Sequence, residues 1–333
     1  MSPRAGTSLT DQELASAVVF MANQAGGNLK EPAPAKKKGL VPHLTTALSG
    51  PLLELEQRVL DASTAIERWF RLRWLAHEPP FYCSVDVRNS GFKLAPVDTN
   101  LFPGGFNNLG AAFMPLAVQA ATAAIERICP EAKNLLLVPE NHTRNKWYLE
   151  NVATLVAILR QTGLEVRIGG LSVEEKTELE TATGKKILVE PLQRDGTRLG
   201  VDGFDPCAIL VNNDLSAGVP AILQGLHDQV LMPPLHAGWA TRRKSVHFAA
   251  YDEIAAEFSQ MLQIDAWLVN PYHARCGEID FQTRAGEECL ASNVSLLLEK
   301  IRLKYLEYGV KETPYVAVKA DAGTYGMGVM MVR

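Results

Sequence analysis

Apolar residues recur at helical spacing over residues 51–76, where Leu52, Leu55, Val59, Leu60, Ile66, Phe70 and Leu75 fall along one stripe. Pro51 suits a first turn, and Pro79-Pro80 closes the segment, so the pattern predicts one long helix. Residues 81–87 alternate and predict a strand. An alanine-rich stretch over 109–128 predicts a helix that Pro130 ends.

The middle of the chain alternates between two periodicities. Apolar runs at 134–138, 164–168, 186–192 and 208–212 read as strands, and helices are predicted over 146–161 and 172–181. This β-α-β order predicts an α/β fold with a mostly parallel sheet and helices on both faces. The remainder predicts helices over 252–263 and 287–308 and a strand over 315–319. A substrate domain over 41–230 and a second unit over 231–333 follow from that division.

The first 40 residues differ from the rest. Thr10 and Glu13 make a capping signal before the apolar-periodic stretch 14–22. Two prolines and four lysines within residues 30–39 then form a linker that cannot bury a core. Composition adds exclusions. Hydrophobic content of 47% with 21% charged residues suits a globular chain, and 33 basic against 37 acidic residues (net −4) gives no reason to expect nucleic acid. No apolar run is long enough for a membrane span. The five cysteines never form CxxC, so a reducing cytoplasm is the default compartment and a zinc knot is not expected.

The sharpest chemical signal is residues 316–332, where a strand ends in Lys319, a glycine-rich loop carries Gly323, Gly326 and Gly328, and a second apolar strand begins at once. A dinucleotide site or P-loop would continue into a helix. Strand-loop-strand suits a flap over a nucleotide, with glycines admitting phosphate oxygens and Lys319 supplying a point charge. A tight hairpin with a solvated lysine has the same pattern.

Three polar clusters are further candidates. In residues 83–108, Arg88 with Asp86 and Lys93 with Asp98 offer the charge pairs an amino-acid substrate needs, and Asn100, Asn107 and Asn108 add neutral partners. Surface ion pairs would look alike. At the carboxyl ends of two predicted strands, Arg144 and the pair Asn212-Asn213 sit where open α/β sheets bind ligands. Helix capping and turn shaping are the alternative there. Arg242-Arg243-Lys244 beside Gly238 and Trp239 suits a phosphate or carboxylate, or a solvated helix start.

The segment 319–329, KADAGTYGMGV, resembles the central lysine and glycine-rich lid of ATP-grasp ligases. With residues 81–108, 139–148 and 211–216, it is similar to the proteobacterial-type glutamate–cysteine ligases, a family allied to glutathione synthetase. The likeness covers 41–333. It implies ATP and Mg²⁺ as cofactors and L-glutamate and L-cysteine as substrates, joined through an acyl phosphate, with 231–333 as the first part of an ATP-grasp-like nucleotide-binding domain. In that reading Lys319 and the lid glycines hold phosphates, while Arg88, Arg144, Arg242 and Arg243 serve substrate carboxylates. The sequence ends five residues after Gly328, where such ligases continue with acidic and asparagine metal ligands, so no metal ligand is assigned. A related ligase with another substrate pair, or an inactive ligand-binding fragment, is the competing expectation. Residues 1–25 resemble the C-terminal tail of a c5-type cytochrome, but CxxCH is absent and no haem is expected.

Overall fold

The computed structural model describes residues 50–141, 144–280, 282–323 and 329–333. The leader and linker over 1–40, with the cytochrome-like stretch 1–25, lie outside the described residues, as do Gly326 and Gly328.

The stripe over 51–76 forms two helices, α1 (Pro51–Asp61) and α2 (Ser63–Ala76). They part at Ala62, whose φ of −93° and ψ of 8° leave the helical region within the run Asp61-Ala-Ser-Thr64. Short polar side chains compete for backbone groups there and favour a helix end. Leu52 and Leu55 pack with Trp267 and Leu268, so elements from both ends of the described chain share a core. The next strand, β1 (Ser84–Asn89), starts three residues later than expected and pairs antiparallel with β2 (Leu94–Asn100). Pro96 and the surrounding charges obscure β2 in the sequence, and a bulge at Asp86/Val87 breaks the register.

The sheet is built on β3 (Asn134–Pro139) and β4 (Glu165–Gly170), followed by β5 (Thr177–Glu180) and β6 (Lys186–Pro191). A small hairpin, β7 (Gln193–Asp195) and β8 (Arg198–Gly200), precedes β9 (Ala208–Asn212) and β10 (Val230–Met232). The order is β10-β9-β3-β4-β6-β5, parallel except for β5 against β6.

That last pairing corrects the helix expected over 172–181. Thr177 to Glu180 alternate in exposure with period two and face Val189 to Lys186. The turn between them needs Gly184, at φ +80°, and Thr181 closes it by donating its amide to Lys185 O at 2.9 Å. A strand with a tight return outweighs the helical tendency of its glutamates.

One face of the sheet is covered by α3 (Met114–Ile128) and α4 (Lys146–Gln161). The helix expected from 109 begins at Met114, with Pro115 in its first turn and two 3₁₀ turns before it. Among the described residues the expected helices cover this one face. Leu136, Val138, Ile209 and Val211 form a second core with Phe102, Leu199, Phe204, Leu215 and Leu223, in which no described α-helical residue takes part. Loops, the β7–β8 hairpin and short turns supply enough apolar area there without a crossover helix.

The C-terminal elements are α5 (Lys244–Leu262), α6 (Glu287–Glu307), β11 (Val316–Val318) and β12 (Met330–Val332). Helix α5 begins eight residues before its expected start at 252. Strands β11 and β12 pair antiparallel, as strand-loop-strand requires. Among the described residues no helix is long and apolar enough to cross a membrane.

Candidate functional site

A cavity of about 810 Å³ opens between the β1–β2 hairpin, the start of α5, the segment 271–279, α6 and β11. Its apolar wall follows from helix geometry. Leu290, Val294, Leu297 and Ile301 are spaced three or four apart on α6 and so share one face, with Val316 and Val318 beside them. Lys93, Ala95 and Val97 come from alternate positions around β2. Five cations line the cavity (Arg88, Lys93, Lys244, Arg275 and Lys319) against two carboxylates, Glu312 and Asp321. In a chain of net charge −4 this is a local excess of positive charge, which suits an anion.

The base of the 319–329 loop is tied to the start of α5. Asp321 accepts the Lys244 amide through its backbone carbonyl at 2.8 Å. Its carboxylate accepts the Ser245 amide at 2.8 Å and the Ser245 hydroxyl at 2.9 Å. These amides are the donors a helix start leaves unpaired, so Asp321 acts as a cap from 76 residues away. Burial raises the Asp321 carboxyl, but the bonds from Ser245 outweigh it and hold it below its ordinary value. Lys244 Nζ donates to Gly323 O at 2.7 Å, and Gly323 N donates to Trp239 O at 3.3 Å. Gly323 is left-handed here, at φ +91°. Its amide therefore serves Trp239, not a phosphate.

The Trp239 ring, itself buried, carries Arg242 at 4.9 Å and Lys244 at 5.1 Å over its face. Arg242 also donates to Thr99 O at 2.5 Å and to Thr99 Oγ1, which latches the loop before α5 onto β2. Burial pushes both Arg242 and Lys244 below their ordinary values, opposed in each case by Asp98.

The structure brings Arg88, Lys93, Lys319 and Gly323 to this region. Lys93 does not pair with Asp98. Its Nζ donates to Asn270 O at 2.9 Å and lies 4.5 Å over the Trp267 ring. Burial lowers it to about 8, with Asp265 opposing. Asp86 is exposed on β1, in register with Asp98, and among the described residues it makes no ion pair with Arg88. Arg243 is exposed at the residue before α5, near Asp321.

The other predicted residues lie elsewhere. Arg144 is exposed in the turn before α4. Asn212 is buried, donating to Pro103 O and accepting from Tyr148 Oη at 2.7 Å. Asn213 and Asn100 accept the amides two residues on, at 2.9 and 3.0 Å, and shape turns. Asn107 and Asn108 touch each other at 3.4 Å. Sequence reading missed Ser245, Asp321, Thr99, Phe248 and His273. Asp321 stood within the glycine-rich motif, yet its helix-capping role depends on a contact no local pattern encodes. Among the described residues no group of three or more His, Cys, Asp or Glu side chains could hold a metal ion.

Comparison with known proteins adds two findings. The sequence profile of the GshA glutamate-cysteine ligase family matches residues 56–333. The fold is similar to the crystal structure of a protein from Methylobacillus flagellatus KT assigned as a gamma-glutamylcysteine synthetase. The TM-score is 0.83 and identity 63%, covering 89% of this chain and 70% of that one. No curated protein matches.

Proposed function

The chain belongs to the glutamate–cysteine ligase family and is a carboxylate–amine ligase, and from that premise we propose that its cavity binds ATP and that ligation runs through a γ-glutamyl phosphate. The observation that carries this reading is the pairing of an apolar depth with an excess of cations. Its volume lies within the range of small-molecule sites, roughly 300–1,000 Å³. An adenine ring fits the wall of Leu290, Val294 and Leu297, and phosphates fit Lys244 and Lys319.

In the chemistry this implies, an oxygen of the glutamate γ-carboxylate attacks the γ-phosphorus and ADP leaves. The cysteine amine then attacks the acyl carbon and inorganic phosphate departs. Such transfers need positioning and neutralised charge more than a side-chain nucleophile. Lys319, one residue past β11, and Lys244, at the start of α5, would hold phosphates. Arg88 and Arg275 at the cavity wall would serve substrate carboxylates. The β11–β12 pair supports an ATP-grasp-like lid over 319–329. Magnesium would bind with the nucleotide. The described residues supply no acidic cluster for it, so no ligand is assigned and no step depends on one.

Purified protein given ATP, Mg²⁺, L-glutamate and L-cysteine should release ADP and γ-glutamylcysteine in equal amounts. ADP release indifferent to the amino acids would overturn the ligase chemistry, and ATP binding without turnover would leave a ligand-binding protein.

A further inference from the structure

The same cavity holds an imidazole that the reading above does not use. His273 lines it from the segment 271–279, and its ring stacks on Phe248 of α5 with centroids 5.5 Å apart and planes 28° apart. Its Nδ1 lies 3.4 Å from Asp252 Oδ2. The other oxygen of that carboxylate accepts from Asn270 Nδ2 at 2.7 Å, which fixes Asp252 in place. A carboxylate beside Nδ1 favours the tautomer with the proton on Nδ1 and leaves the Nε2 lone pair available. Among the described residues Nε2 has no hydrogen-bond partner.

Forming the peptide bond requires a neutral amine, whereas cysteine arrives as an ammonium ion at neutral pH. Some group near the acyl phosphate must accept that proton. Three other candidates in the cavity are committed. Asp321 is bonded to Ser245, and Lys93 is bonded to Asn270 and rests on Trp267. Lys244 is bonded to Gly323.

We propose that His273, oriented by Asp252, is the general base that deprotonates the attacking amine. This rests on the ligase reading above. The ammonium proton passes to Nε2 and the nitrogen lone pair forms the C–N bond to the acyl carbon. The C–O bond to phosphate breaks, the second N–H proton leaves with the phosphate, and the imidazolium returns its proton to water. Asp252 is a positioning residue in this scheme.

Hydroxylamine separates this role from a structural one, because it is already a free base at neutral pH and traps acyl phosphates unaided. With ATP, Mg²⁺ and L-glutamate, the parent protein should form γ-glutamyl hydroxamate with hydroxylamine and γ-glutamylcysteine with cysteine. His273→Gln should lower cysteine turnover by about 10²-fold or more, the lower end of general-base effects, while hydroxamate formation stays within about threefold. Asp252→Asn should show the same split with a smaller loss, and it carries the test if His273→Gln does not fold. Equal losses with both nucleophiles, or no loss with cysteine, would overturn the proposal. A parent protein that forms neither product would overturn the ligase reading and this proposal with it. Hydroxamate without peptide in the parent would overturn the base assignment alone.

Discussion

Lys319 is exposed one residue past β11, its side chain at the cavity wall. An ammonium group there serves a phosphate as a point charge. Lys319→Ala should weaken ATP binding by ~1.5–3 kcal/mol, the range for a hydrogen bond to a charged group, and leave unfolding within ~0.5 kcal/mol of the parent. Calorimetric titration and a urea melt check the two halves. Lys93 has the opposite balance. Burial lowers its ammonium to about 8, so between about 8 and the ordinary 10.5 the unfolded chain binds more protons, and stability rises with pH across that window. Lys93→Met should abolish that rise, at the cost of the bond to Asn270 O. Thermal melts at pH 7 and 10 decide it. Glu150 is a third case. Bonds from Lys185 and Thr181 and, against burial, from Thr183 hold its carboxyl at about 2. Its contribution is whole above the ordinary 4.5 and is lost as pH falls toward 2. Glu150→Gln should cost about 1–3 kcal/mol at pH 7 and flatten stability over that acid range, as urea melts at pH 3 and 7 would show.

At the scale of elements, the join between α5 and β11 matters most. Helix α5 has no side-chain cap of its own, and Asp321 supplies one from the loop after β11. The helix start and the base of the glycine-rich loop are therefore held by the same carboxylate. Asp321→Ala should cost about 1–2 kcal/mol of stability, the usual loss of a cap, and should also weaken ATP binding by releasing the loop. Asp321→Asn, which can still accept from Ser245, should recover most of the stability. Urea unfolding and nucleotide titration on both variants would check this. A cap lost without any change in ATP affinity would separate the join from the site. Helix α4 illustrates the other extreme. Its bounds, 146–161, agree with the sequence because its signals are local: Asn145 accepts the Tyr148 amide at its start, and a glycine follows its end.

Across the whole molecule, the parallel sheet is the frame, and its central strands are buried on both faces. Leu137 is fully buried against α4, so Leu137→Ala should cost about 2–5 kcal/mol, readable as a lowered midpoint of urea unfolding. These central strands were legible because a strand covered on both faces reads as an unbroken apolar run, and 134–138 and 208–212 do. The α/β class, helices α4 and α6, the strand-loop-strand at 316–332 and the family itself were likewise set down in the sequence, since each rests on neighbours a few residues apart or on a contiguous motif. The rest depends on contacts far along the chain. Strand β5 exists because β6 pairs with it, and the second core needs no helix because loops converge on it. Arg242 turns to Thr99 and Trp239, Lys93 to Asn270 and Trp267, and Asn212 to Pro103, all across distances that no spacing rule covers. The sequence determined which side chains could carry charge and which segments could form elements. Only the tertiary structure decided which of those charges reach one cavity and which are consumed as internal hydrogen bonds, because a buried polar group takes whatever partner the packing places beside it.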